Sequence, residues 1–430
     1  MKKILNFVGL FLSLLVFTTC KKMEPLAPPE KNGIKIFNFF TESNQLYNDQ
    51  VYWIRKPSDE VWTWTPKGFY KAFDSEQNLR EFNIPYATLS PGYSPLPKYN
   101  SSDLNTQNIF CLNFNGNIEH AYLDTINDLS GTSPTKLYLC KNEINQNGNI
   151  INQDSVFVNF IYAPFYLNSF KFTKTSNNYY FAFDSYFNNF NEDTLYLLKT
   201  DFNLQIQSIY KKNQISVNFS TFYPRVMDIQ ANGNTVCMTY EVENAANYYK
   251  RTAFDIFDSN LNFIKKVRAD SIITMPASAR DDAFKKVLIR NNKVFVFGEM
   301  EPDYYSSLGK KIYMSVFDLN GNLLLSKALN TKRTYPYLRG IEPTNDGKFI
   351  IYYDESDGGS FDKIGICKMD EFGNVDYSIM FPETDDSSYN SLIVYEGSDG
   401  KINVYGYRYF NNFIGLQTFF AKINKDGKIQ

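Results

Sequence analysis

The sequence predicts an all-β chain built from seven repeated, four-stranded antiparallel units. Three observations predict it. The chain has 430 residues and is 17% aromatic, with 32 Tyr and 38 Phe, and such side chains fit the pleated, half-buried surface of a strand. One turn motif recurs along the whole chain, and a second, of the Asn-Gly and Asp-Gly kind, interleaves with it.

The first motif reads apolar, Asp or Asn, two variable residues, a Gly-like position, a polar residue, apolar. It runs Phe73 to Leu79, Ile144 to Ile150, Thr200 to Ile206, Phe257 to Phe263, Phe317 to Leu323, Met369 to Val375 and Ile423 to Ile429. Its Asp or Asn stands at 74, 145, 201, 258, 318, 370 and 424, at spacings of 71, 56, 57, 60, 52 and 54 residues. An Asp or Asn at a turn's start accepts hydrogen bonds from amides two residues on, and Gly or Asn near its end tolerates positive φ. The flanking runs alternate apolar and polar, as in Tyr313-Met314-Ser315-Val316-Phe317.

The second series comprises Asn115-Gly116, Asn177-Asn178, Asn232-Gly233, Asn291-Asn292, Asp346-Gly347 and Asp399-Gly400, each falling between copies of the first. Asn-Gly and Asp-Gly between apolar runs are strong hairpin signals. Two tight hairpins per unit make four strands, and such units repeated along a chain are the signature of propeller blades. A β-helix would need a shorter period, and a sandwich would not repeat. The expectation is therefore a seven-bladed β-propeller over residues 34–430. The run Ile34 to Phe40 supplies the edge strand that the last unit lacks, which removes an open edge. In the alternative register, 34–40 is the inner strand of blade one.

The first residues read as an export signal. Met1-Lys2-Lys3 precede an apolar stretch from Ile4 to Phe17, too short for a membrane span of about 20 residues. Phe17-Thr18-Thr19-Cys20 resembles a bacterial lipoprotein signal, with Thr19 standing where that family has Gly, Ala or Ser. The resemblance implies a signal peptide over 1–19, acylation of Cys20 (a palmitate-type anchor) and a tether to residue 33 containing Pro25, Pro28, Pro29 and Gly33. A plain secreted protein is the competing reading. The composition, rich in Asn, Lys, Phe and Tyr, also resembles Bacteroidota-like outer-membrane lipoproteins. Localisation at the outer membrane follows from the resemblance, on either side of it.

Lys plus Arg is 44 and Asp plus Glu is 46, a net charge of −2, without the basic footprint of a nucleic-acid binder. Beyond Cys20, the four cysteines Cys111, Cys140, Cys237 and Cys367 lie in strand-like runs and form no C-x-x-C pair, so buried thiols are expected. Cys111 and Cys140 fall on the first and third strands of one unit, too far apart for a disulfide.

Tight turns close one face of such a ring. The other carries the long segments 84–106, 124–135, 184–193, 241–249, 299–310, 354–363 and 381–390, and binding residues concentrate on loops held by a rigid scaffold. Tyr93, Tyr166, Tyr223, Tyr249, Tyr305, Tyr337 and Tyr409 are the candidate binding residues there, because Tyr is enriched at interface hot spots. Packing between blades is the alternative use of each. Acidic runs in these segments, Asp354-Glu355-Ser356-Asp357 and Glu383-Thr384-Asp385-Asp386, with Glu299, Glu301 and Asp303, suit a hard cation chemically. They lack EF-hand spacing, and solvated acidic loops are expected instead. They would also suit a glycosidase carboxylate pair, though no spacing singles out two.

His120, the single histidine, sits in a strand-like run and is expected to be structural. G-x-S-x-G, P-loop and G-x-G-x-x-G motifs are absent. The repeat resembles β-propellers of bacterial envelope proteins with a D-x-x-G-N outer hairpin. It lacks the Gly-His and Trp-Asp pairs of WD-repeats, the sialidase boxes and, with Trp53, Trp62 and Trp64 as its only tryptophans, the per-blade Trp of quinoprotein dehydrogenases. No catalytic residue, metal site or cofactor is carried over. The sequence thus points to a non-catalytic, lipid-anchored module docking an outer-membrane or periplasmic protein through its long-loop face. A glycan-binding or glycan-cleaving propeller is the alternative.

Overall fold

The computed structural model describes residues 30–31, 34–38, 52–55, 59–65, 68–73 and 79–80 and, of residues 110–430, all but 113–114, 128–133, 146–148, 160–165, 187–191, 216–224, 244–249, 273–280, 301–309, 330–334, 357–362, 382–387 and 410–415. These residues form seven antiparallel sheets, six of four strands and one of five. In chain order the four-stranded sheets span 52–80, 110–157, 166–215, 226–268, 281–329 and 335–381, and the seventh sheet combines 388–423 with 30–38. Strands follow one another across each four-stranded sheet in sequence order. The all-β repeat of four-stranded sheets expected from the turn series is what the chain forms.

Burial falls from the first three strands of a sheet to the fourth. Lys363–Met369, a third strand, is buried at every position, whereas the outer strand Leu323–Leu329 is mostly exposed. Neighbouring sheets share their cores face to face. Ile350, Tyr352, Ile364 and Ile366 of the sixth pack against Val394, Val404 and Phe419 of the seventh. Equivalent clusters join the third to the fourth, the fourth to the fifth and the fifth to the sixth. Polar contacts join the second sheet to the third, where Tyr179 donates to Glu119 Oε1 at 2.5 Å. The seventh meets the first at Asp59, whose carbonyl accepts from Tyr395 at 3.0 Å and whose carboxylate accepts from Ser398 N at 2.7 Å.

The N-terminal run behaves as expected in its first register. Ile34–Asn38 pairs antiparallel with Leu416–Ile423, and Ile429 bridges Ile423 beyond it. Together they occupy the place of a fourth strand. Glu30–Lys31, which the sequence places in the tether, adds a fifth strand against Ile34 and Lys35.

The first turn motif works as its chemistry requires. Asp318 Oδ1 accepts the backbone N–H of Asn320 and Asn322 at 2.9 and 2.8 Å, and Oδ2 accepts Nδ2 of Asn322 at 2.8 Å. Asp258 and Asp370 repeat the pattern. Three residues after the Asp or Asn the backbone turns left-handed at Gly321, Gly373 and Gly427. At Leu204 and Leu261 a leucine takes the same conformation, strained by about 1–2 kcal/mol. Both side chains are buried, and their packing offsets the strain.

The Asn262 amide holds the Asp258 carboxyl below its ordinary 3.8, and the backbone of Asn322 does the same for Asp318. A carboxyl whose value is depressed by folding stabilises the fold above its ordinary range and loses that effect as pH falls through the depressed value. The urea midpoint should therefore hold down to about pH 4 and drop below it. Asn145 and Asn424 already close the same turn without a charge. The Asp258→Asn/Asp318→Asn variant should fold and show a shallower acid slope, and an unchanged slope contradicts this account.

The long segments are shorter than the sequence suggests. Strands extend to Asn127, Tyr186, Glu243, Met300 and Ser356 and resume at Pro134, Glu192, Lys250, Lys311 and Lys363. Polar and acidic residues that look like loop are strand, for a reason visible at the inner strands.

Candidate functional site

In the third to seventh sheets the first strand carries a bulge toward the end that bears the longer connections. The register shifts between Leu167 and Phe170, Val226 and Asp228, Asp282 and Lys286, Leu338 and Gly340, and Ser391 and Ile393. A bulge interrupts the ladder and turns backbone groups and side chains in new directions. In three consecutive sheets a basic residue sits at or beside it and pairs with a carboxylate of the second strand. Arg225 Nη2 lies 3.2 Å from Glu241 Oε1, Lys285 Nζ 3.2 Å from Glu299 Oε1, and Arg339 Nε 2.5 Å from Asp354 Oδ2. The carboxylate side chains are 2–3% exposed and their basic partners 19–28%. The acids are buried anchors, and the bases reach solvent.

Side chains at this level also tie the third sheet to the fourth, the fourth to the fifth and the fifth to the sixth. Glu299 Oε2 accepts the backbone N–H of Leu338, on the first strand of the following sheet. Asp228 Oδ2 accepts Val287 N at 3.0 Å, and Thr252 Oγ1 accepts Phe284 N at 3.0 Å. Ser169 donates to Asp184 Oδ1 and accepts Val226 N at 2.8 Å. A buried N–H left unmatched costs about 1–3 kcal/mol, and these side chains supply the missing acceptors.

Glu299, Asp354 and Glu355 are therefore not solvated loop acids. They lie in strands, at 3%, 2% and 0% exposure, and the scaffold uses the oxygens of Glu299 and Asp354. Glu301, Asp303, Asp357 and the 383–386 run lie outside the described residues. Among the described residues no cluster of three or more His, Cys, Asp or Glu is arranged to hold a metal ion.

Tyr337 stands one residue before Leu338 on the first strand Tyr335–Pro343 and is 40% exposed. Lys310 Nζ lies 4.3 Å from its ring centroid, a cation–π contact that orients the ring. Tyr166 begins the strand Tyr166–Lys174 and pairs with Tyr186, while Tyr409 ends Ile402–Tyr409 and pairs with Ser388. Tyr166 and Tyr409 thus sit at the same end of their sheets as Tyr337. Tyr93, Tyr223, Tyr249, Tyr305 and Cys20 lie outside the described residues. The sequence reading missed Arg225, Lys285 and Arg339. The available signal was an acidic residue at the sixth or seventh position of four consecutive second strands, at Asp184, Glu241, Glu299 and Asp354.

The single histidine is structural. His120 is fully buried, stacks on Tyr122 at 5.0 Å, and burial lowers its pKa to about 3, so it is neutral. Cys140, Cys237 and Cys367 are buried free thiols, and burial pushes Cys367 up to about 12. Cys111 and Cys140 occupy the first and third strands of the second sheet, with one strand between them.

No protein-family model and no curated protein matches the chain. Among solved structures it is similar to a Synechocystis apocarotenoid oxygenase mutant, at 8% identity and TM-score 0.44 over 94% of this chain and 93% of that one. It is similar to a thermostable family-43 glycoside hydrolase at 13% identity and TM-score 0.33, over 63% of this chain and 94% of that one. It is similar to an endo-arabinase from Bacteroides thetaiotaomicron at 15% identity and TM-score 0.30, over 60% of this chain and 93% of that one. Likenesses this loose assign no activity, and the fold rests on the chain's own strand pairing.

Proposed function

We propose that this chain is a lipid-anchored, non-catalytic binding module of the cell envelope. It docks an outer-membrane or periplasmic protein through the end of the sheets that bears the longer connections. The observation that carries this reading is the set of partly exposed side chains at the start of consecutive sheets at that end. Tyr337 is stacked under Lys310, and Arg225, Lys285 and Arg339 are each held in place by a buried carboxylate. Aromatic and Arg side chains fixed on a rigid support make strong protein-binding anchors, because little rotamer entropy is lost on binding.

The test is purification of the tagged lipoprotein from its own membranes in mild detergent, with co-purifying proteins identified by mass spectrometry. A stoichiometric partner is expected. Tyr337→Ala should weaken it by at least roughly 30-fold, the effect of losing a hot spot of about 2 kcal/mol. The melting temperature should stay unchanged, since Tyr337 is exposed. A protein that comes out alone contradicts the docking reading and sends the search to a glycan screen.

A further inference from the structure

At the opposite end, the tight-turn end, the outer strand of the second to sixth sheets begins with a bulge of its own. The register shifts between Ile150 and Asn152, between the partners of Phe263 and Lys265, and between those of Leu323 and Leu325. The extra residues are Ile151, Ile264 and Leu324 in the second, fourth and fifth sheets. All three are exposed, as are Phe263, Leu323 and the turn residue Phe372, at 42–60%. The fold does not require apolar residues here. The same bulge position holds Gln207 in the third sheet and Asp376 in the sixth. An apolar rim kept in water on several neighbouring sheets marks a contact surface.

The chain outside the described residues indicates what covers it. If Cys20 is acylated, ten residues join it to Glu30, which pairs with Lys35 on the edge of the seventh sheet. Ten residues span at most about 33–36 Å. The bilayer surface is thus held within one short tether of the domain at high effective concentration. Large aliphatic and aromatic side chains at a rim suit shallow burial at the headgroup boundary. We propose that the tight-turn rim, through Ile151, Phe263, Ile264, Leu323, Leu324 and Phe372, rests on the membrane surface that holds the lipid anchor. That orientation turns the Tyr337 end away from the bilayer. The proposal rests on the anchored reading of Cys20.

The experiment reconstitutes the full-length protein, carrying Leu324→Trp, Phe372→Trp or Tyr337→Trp, into vesicles of phosphatidylethanolamine and phosphatidylglycerol with brominated acyl chains. The three native tryptophans, measured in the parent protein, give the baseline. Emission added at 324 and 372 should be largely quenched, and emission added at 337 should not. Vesicle flotation and the intact mass at Cys20 report on the anchor separately. A protein that floats with 324 and 372 unquenched overturns the rim contact and points to a second copy or another protein there. Equal quenching at 337 overturns the orientation. Quenching at 324 without acylation keeps the rim contact and overturns the anchor. A protein that neither floats nor is quenched overturns both.

Discussion

Glu299→Ala is expected to lower the unfolding free energy by about 3–5 kcal/mol, the cost of breaking a buried charge pair. The carboxylate is 3% exposed and serves two sheets at once. One oxygen lies 3.2 Å from Lys285 Nζ and the other accepts the Leu338 N–H of the next sheet. Alanine leaves that N–H without this acceptor and removes a buried carboxylate from beside the ammonium. Glu299→Gln keeps an acceptor of the same size and should lose less than alanine does. Tyr337→Ala, one residue from Leu338 and exposed, should be close to neutral. Urea unfolding curves of the three variants check the ranking. Equal, small losses at Glu299 would mean that the clamp adds nothing to the junction between the fifth and sixth sheets.

Breaking the closing strand should have an effect of similar size. Successive residues of Ile34–Asn38 point their N–H groups alternately toward Leu416–Ile423 and away from it. The Lys35→Pro/Ile36→Pro variant therefore removes one inward donor whichever residue supplies it. Proline inside a ladder also disrupts its neighbours. A loss of about 3 kcal/mol or more is expected, together with concentration-dependent association, because Leu416–Ile423 becomes an open edge. The control Ala27→Pro, in the segment before the strand, should change neither. Unfolding curves and sedimentation at two concentrations read both effects. A variant as stable as the parent and no more associated would show that the N-terminal strand is not what closes the last sheet.

The scaffold was legible because its turns are local chemistry. Asp318 to Asn322 and Asp346-Gly347 state their geometry in five residues or fewer, and their spacing states the repeat. Cys140 and His120 were readable as buried for the same reason: the apolar runs around them are strands. The candidate site was not legible, because it depends on contacts between sheets. Asp354 and Glu355 look like solvated loop in sequence, and their pairing with both neighbouring strands and their burial put them in the sheet. Arg225 and Lys285 gave no signal of their own, since a basic residue before an apolar run is common. Leu261 contradicts the simple rule that positive φ calls for Gly, and the burial that offsets its strain is again a tertiary fact.

The docking reading is tested most directly by site-specific photo-crosslinking in cells, with the crosslinker at Tyr337 or at Asn234, an exposed turn residue at the opposite end of its sheet. The account predicts one discrete product from position 337, containing a single envelope protein, and none from position 234. No product from 337, or the same product from both ends, would contradict it.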